Sequence, residues 1–224
     1  MSIDFFNLFK GKFRIACFDM DGTLIKGTTS NLFYAKLMGV EEDVIEIEKR
    51  LKLGVIGSPE FMVIVSKIME KLTVDFITEN FDLLPIVHDI GKTLEFLKSC
   101  NITPIIVTTS NVLFAQEFKK RYGFDSVYGT KHRIGSNGQV FEGIEVCSSD
   151  HKINHVTQLA DSLGVTMNEV FAVGDSFSDI PIFSKVGCSV AFNYDETLKG
   201  NANIYLKSES IYSIIDGIGG YYGN

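Results

Sequence analysis

The sequence predicts an α/β fold: a parallel sheet flanked by helices, with an extra helical segment inserted early in the chain. Three observations predict it. Short apolar runs of the kind that form buried strands alternate with stretches of helical periodicity. Three of these runs end in polar clusters, Asp19-Met20-Asp21-Gly22, Thr108-Thr109-Ser110 and Gly174-Asp175-Ser176. Between the first and second runs lie about sixty helical residues without a strand, too many for a simple crossover.

The predicted strands are Phe13–Phe18, Thr103–Thr108, Val170–Val173, Ser189–Phe192 and a weaker Ile204–Leu206. In an open parallel sheet the ligand crevice lies at the carboxyl ends of the strands, so three polar clusters at such ends point to one shared site. Ser148-Ser149-Asp150 reads as a helix start. Ile153, Val156, Leu159, Ala160 and Leu163 follow at helical spacing until Gly164 stops the run. In the inserted stretch the expected helices are Asn31–Met38, Glu42–Leu53, Pro59–Lys71 and Val74–Glu79, broken at Gly39, Gly54 to Gly57 and near Pro85. The expected division is a core of residues 1–25 and 88–224 with a helical cap of residues 26–87. Lys26–Ser30 and Leu84–His88 would be its hinges. Ser136-Asn137-Gly138 is a turn signal within a hairpin at Lys131–Ile144. The charged run Glu41–Glu48 reads as a solvated helix face, and Phe5–Phe9 as packing on the edge of the core.

Composition narrows the function classes. The chain has 224 residues, 45% hydrophobic and 22% charged, as a folded domain requires. Lys plus Arg is 21 and Asp plus Glu is 28, a net charge of −7, which repels phosphate backbones and anionic lipid. No nucleic-acid or membrane partner is therefore expected. Cys17, Cys100, Cys147 and Cys188 show no paired spacing and read as reduced thiols. With charges interrupting the apolar N-terminus, the expected location is the cytoplasm. His88, His132, His151 and His155 suggest no metal set.

The chemistry concentrates in the strand-end clusters. Asp19 and Asp21 are separated by one residue, and two like charges about 4 Å apart at an effective dielectric near 20 repel by roughly 4 kcal/mol. A cation or a shared proton must relieve them. Asp175 ends another strand and Asp179 follows it by about one helical turn, so four carboxylates are expected to converge on one crevice. A hard divalent cation with oxygen ligands fits, and Mg²⁺ suits best because it binds through few carboxylates plus substrate phosphate. Thr108, with the backbone N–H groups that follow it at Thr109, offers donors to a phosphate oxygen. Lys152 supplies a cation at a helix start, where the dipole favours it least.

These residues resemble the four motifs of the haloacid dehalogenase-like (HAD) hydrolase superfamily, in order and spacing: Phe18-Asp19-Met20-Asp21-Gly22-Thr23-Leu24, Thr108 at a strand end, Lys152, and Gly174-Asp175 with Asp179. The helical insertion and the stretch Val170–Asn193 are similar to the phosphoserine phosphatase subgroup. The resemblance implies a Rossmann-like parallel core with an inserted helical cap, and a Mg²⁺-dependent phosphoric monoester hydrolase acting on a small phosphorylated metabolite. Asp19 would be the nucleophile that forms an aspartyl-phosphate, and Asp21 the general acid and then base. Asp19, the Asp21 backbone carbonyl and Asp175 would hold Mg²⁺, with Asp179 in support. Thr108, Thr109 and Lys152 would hold the phosphoryl oxygens. The second Asp of the first motif disfavours dehalogenation.

Phosphoserine phosphatases place a Glu shortly after the first motif, where this chain has Thr28, and use a cap Arg, where Phe61–Lys71 offers only Lys67. The pocket is accordingly expected to use Thr28, Phe61, Lys67 and Ser178, for a phosphomonoester the sequence does not name. Met62 and Met69 read as cap core or pocket lining. Alternatives are a phosphotransferase or phosphomutase with another acceptor, a non-hydrolytic phosphoacceptor signalling domain, and a silent scaffold. A monomer or homodimer is expected.

Overall fold

The computed structural model describes residues 4–223. The apolar runs form seven strands: β1 (Ile15–Phe18), β2 (Thr103–Asn111), β3 (Ser126–Ile134), β4 (Val140–Glu145), β5 (Val170–Gly174), β6 (Cys188–Phe192) and β7 (Ile204–Leu206). They make one sheet in the order β4-β3-β2-β1-β5-β6-β7, parallel except for the antiparallel pair β3–β4. Parallel strands must be covered on both faces, and alternation along β1 meets this requirement. Ala16 and Phe18 face one apolar cluster, Ile15 and Cys17 the other.

The first face is covered by α1 (Phe5–Lys12), α6 (Ile90–Ser99), α7 (Val112–Tyr122) and α10 (Ser213–Gly223), through Phe9, Leu94, Phe118 and Ile214 among others. The second is covered by α8 (Ser149–Ser162) and the single turn α9 (Ile180–Phe183), through Val156, Ala160, Ile182 and Phe183. The expectation for Phe5–Phe9 stands: Phe9 is fully buried, edge-on to Phe96 and Phe171. The first strand, expected to run from Phe13, begins at Ile15, and Phe13 lies outside it. It ends α1, its N–H donating to the Phe9 carbonyl.

The strand register sets the site. Phe18 pairs with both Ile106 of β2 and Val173 of β5. The residues that follow, Asp19 on one strand and Gly174-Asp175 on the other, therefore emerge side by side. The Asp19 N–H donates to Val173 O at 2.9 Å.

Between β1 and β2 lie α2 (Ser30–Met38), α3 (Glu41–Lys52), α4 (Ser58–Ile68) and α5 (Val74–Asn80), then a 3₁₀ turn at Phe81–Leu83. Their starts follow local rules. Thr29 and Thr73 cap α2 and α5 with their hydroxyls, and Pro59 occupies the first turn of α4. Tyr34 on α2 stacks on Phe114 of α7 with ring centroids 4.8 Å apart, and its hydroxyl donates to Ile77 O at 2.9 Å. Arg121 of α7 donates to Asp82 at 2.6 Å and to Thr78 O at 3.0 Å. The insertion thus shares one continuous apolar cluster with the first face of the sheet. Its two connections run side by side, with Lys26 N–H donating to Pro85 O at 2.7 Å and Val87 N–H to Leu24 O at 3.0 Å.

The hairpin predicted around Asn137-Gly138 is β3–β4, but β3 begins as a parallel strand beside β2, which its mixed polar composition concealed. The hairpin clasps the insertion. Val74 N–H donates to Gly138 O at 2.9 Å, Val140 N–H to Leu72 O at 2.8 Å and Gln139 Nε2 to Glu70 O at 2.7 Å.

Candidate active site

The three strand-end clusters meet at the rim of a cavity of about 540 Å³ whose lining includes Asp19, Asp21, Thr108, Thr109 and Asp175. Asp19, Asp175 and Asp179 each offer a carboxylate oxygen within 4.8 Å of the other two. Two glycines permit this crowding. Gly22 has φ +80°, and a Cβ there would overlap the Asp175 carboxylate; a Cβ on Gly174 would overlap Asp179. At that separation each like-charged pair repels by roughly 3–4 kcal/mol for an effective dielectric near 20.

Lys152 offsets part of the repulsion. It leaves the first turn of α8 with only 1% of its surface exposed. Its Nζ donates to Asp19 Oδ1 at 2.8 Å, Asp179 Oδ1 at 2.8 Å and Ser178 Oγ at 3.2 Å. Burial works against its charge, yet Asp179 and Asp19 outweigh burial and hold the ammonium above its ordinary range. Three carboxylates against one ammonium leave an excess of negative charge. Burial, with Asp179 and Asp21 adding and Lys152 opposing, pushes Asp19 up to about 7. Burial and the Asp19 and Asp179 charges push Asp175 well above the usual carboxylate range.

The fourth carboxylate shares the crevice but not the cluster. Asp21 lines the same cavity but stands outside the cluster of three. It is turned to accept from Ser30 N–H at 2.6 Å, from Ser30 Oγ at 3.1 Å and from Ser110 Oγ. Burial raises its pKa, while the Ser110 and Ser30 hydrogen bonds oppose the rise. Asp179 is engaged at both oxygens, accepting from Lys152 on one and from the Asp175 and Ser176 N–H groups on the other, at 3.1 and 3.3 Å.

A divalent cation fits this donor set. Asp175 Oδ1 is buried without a hydrogen-bond partner among the described residues, in a cluster short of positive charge. Asp19 and Asp175 would hold Mg²⁺ directly and Asp179 would support it. The sign of the pH dependence follows. Asp19 is raised from its ordinary value of 3.8 to about 7, so the metal-free fold keeps the stability of that bound proton below about pH 4. It loses that stability as pH rises through about 7. Millimolar Mg²⁺ should therefore raise the urea midpoint more at pH 8 than at pH 5, since protons no longer compete for the oxygens. Gly22→Ala should lose this Mg²⁺ response, because the new methyl displaces Asp175 and the backbone there is left-handed. An unchanged midpoint with Mg²⁺ at pH 8 would contradict the assignment.

Thr108 is buried, and its Oγ1 accepts from Ser110 N–H at 3.1 Å, which leaves its own proton for a ligand. Of the expected pocket residues, Thr28, Phe61 and Ser178 line the cavity. Lys67 does not. It lies in a separate cavity with Val63, Gln139 and Phe141, because its place on α4 faces the hairpin. Met62 and Met69 are buried in the core of the insertion. Lys152 differs from a simple phosphate ligand, since its three hydrogen bonds all go to protein.

Three residues take a part in the site that the sequence does not assign them. Ser110 sits two residues past the expected strand end because β2 runs on to Asn111. Ser30 is the first residue of α2. Glu48 lines the cavity instead of facing solvent. The signal for it was present: Val44, Ile47 and Leu51 mark the apolar face of α3, and position 48 falls on it.

A parallel α/β sheet with carboxylates, a hydroxyl and a buried lysine gathered at its carboxyl edge defines a hydrolase-type phosphoryl site. The chain belongs to the haloacid dehalogenase-like hydrolase family, whose sequence profile matches residues 16–184. Its relatives include the phosphoserine phosphatase of Archaeoglobus fulgidus, 24% identical over 93% of this chain and 61% of that protein. Another is the phosphoserine phosphatase of Methanocaldococcus jannaschii, 23% identical over 91% of this chain and 97% of that one. The fold matches a solved structure described as a phospho-aspartyl intermediate analogue of phosphoserine phosphatase, with TM-score 0.77, 21% identity and coverage of 92% and 98%. Among the described residues no helix is long and apolar enough to cross a membrane.

Proposed function

We propose that this chain is a Mg²⁺-dependent, phosphoserine phosphatase-like hydrolase of small phosphomonoesters. The observation that carries the reading is Asp19: a buried carboxylate with one oxygen fixed by Lys152, beside a second carboxylate, Asp21, positioned by two serines. Asp19 attacks phosphorus, the bond to the leaving oxygen breaks, and Asp21 protonates the departing alkoxide. Asp21, now a carboxylate, then takes a proton from water. The hydroxide displaces Asp19, releasing inorganic phosphate. Mg²⁺, when bound, screens charge between the carboxylates and the phosphoryl oxygens. Thr108 and Thr109 donate to those oxygens, and Lys152 balances their charge, with a phosphoryl oxygen taking the place of Ser178, its longest hydrogen bond.

Residues 26–87 act as a cap over a core of 1–25 and 88–224. In support, the insertion contributes Thr28, Asn31, Glu48 and Phe61 to the cavity walls. Closure would exclude water until the alcohol leaves. The test is phosphate release from a panel of phosphorylated metabolites with Mg²⁺, with Asp19→Asn as blank. No release above the blank from any ester would overturn the reading.

A further inference from the structure

Asn31 is a buried polar side chain without a part in this chemistry. It sits in the first turn of α2 with 6% of its surface exposed, and it lines the active-site cavity. Among the described residues its amide has no hydrogen-bond partner. Buried polar groups are normally satisfied, and one left unpaired destabilises the fold. Asn31 also borders a second cavity, of about 20 Å³, beside Met62, Val65 and Met69. Asn111 and His132 reach that cavity too, yet both turn elsewhere. Asn111 Oδ1 accepts from Leu113 N–H at 3.0 Å, and His132 Nδ1 lies 3.3 Å from Thr130 O. An apolar side chain would suit these surroundings better than the asparagine does. Asn31 follows Ser30, whose N–H and hydroxyl hold Asp21. A leaving oxygen that faces Asp21 therefore puts the next atoms of its alcohol beside the Asn31 amide.

We propose that Asn31 selects the leaving group by hydrogen-bonding a neutral hydroxyl within a few bonds of the ester oxygen, so that the substrate is the phosphomonoester of a diol or polyol. This rests on the phosphomonoester reading above. The amide presents donors and an acceptor side by side, and a hydroxyl, which both donates and accepts, can satisfy either. An ammonium only donates and would leave the amide N–H groups unpaired. A carboxylate only accepts and would leave the amide carbonyl unpaired. A carboxylate would also lack a buried counter-charge. Lys26 is paired with Glu209, Lys152 with Asp19 and Asp179, and Lys52 is an exposed side chain one turn along α3 from Glu48.

The test compares 2-hydroxyethyl phosphate with propyl phosphate, in which a methyl replaces the free hydroxyl. With Mg²⁺, the wild-type ratio of kcat/KM should favour the hydroxyl ester by about tenfold, the effect of facing a buried amide with a methyl. In Asn31→Leu the ratio should fall to within about twofold. Both esters are read on the same protein, so the ratio does not depend on the folded fraction. The urea midpoint of Asn31→Leu should equal or exceed that of the wild type, because the change removes an unpaired amide from apolar surroundings. Asn31→Ala repeats the measurement without added volume. An amide satisfied by water in the small cavity predicts the reverse, a midpoint that falls in both variants, and that result overturns the proposal. A wild-type ratio near one, or a ratio that survives in N31L, overturns it as well while leaving the phosphatase reading intact. Failure of that reading shows separately, as no release from the whole panel of esters. Calorimetric binding of the two esters to Asp19→Asn protein then still decides, a preference of about tenfold for the hydroxyl ester supporting the role of Asn31 and equal binding overturning it.

Discussion

Asp19→Asn should lower phosphate release by roughly 10⁴-fold or more at saturating substrate, with KM changed far less. The amide is nearly isosteric, so the fold survives. What disappears is a nucleophile whose oxygen must carry negative charge to form the phosphoryl ester. Lys152 keeps Asp179 and Ser178 as partners in the variant, so its ammonium is not stranded. The effect therefore reads chemistry and not collapse, and steady-state kinetics beside circular dichroism separate the two. An activity loss under about tenfold would mean that water, not Asp19, attacks phosphorus.

Lys152→Met produces the largest expected loss of stability, about 3–5 kcal/mol at pH 8 by urea unfolding. The methionine fills the space of the lysine stem, so the cost is electrostatic. Asp19 and Asp179, 6% and 2% exposed, lose the ammonium that pairs with both of them. The sign with pH can be worked out for both partners. Lys152 is held above its ordinary 10.5, so its contribution is fully present across the neutral range and is lost only above that value. Without it the Asp19 carboxyl rises beyond about 7 and protonates more readily, so the variant recovers at pH 5. Mg²⁺ should restore part of the loss at pH 8 by supplying charge to the same oxygens. A loss below about 1 kcal/mol at pH 8 would show that the carboxylates are neutral in the folded protein.

Much of the fold was legible because strand and helix signals are local. Ile204–Leu206 appears as read, and the strands at 103, 170 and 189 begin within one residue of expectation. The four expected helices of the insertion are all present, α4 ending at Ile68, three residues short of Lys71. Only the hairpin half of β3 is legible, because its sequence, SVYGTKHRI, joins a parallel half beside β2 to an antiparallel half in the hairpin. Neither half is long enough to show a period of its own.

Within the site, the sequence named Asp19, Asp21, Thr108, Lys152, Asp175 and Asp179 because each follows an apolar strand or opens a helix, and a parallel sheet forces those ends together. It did not determine which way a side chain turns once there. Asp21 faces two serines instead of the carboxylate cluster, Lys67 faces the hairpin, and Glu48 faces inward from a charged helix. Those outcomes depend on the packing of α3 and α4 against other elements, and on a strand that runs three residues past its apolar core. Chain order sets which groups can meet at the sheet edge; contacts between distant segments decide the partner each one takes.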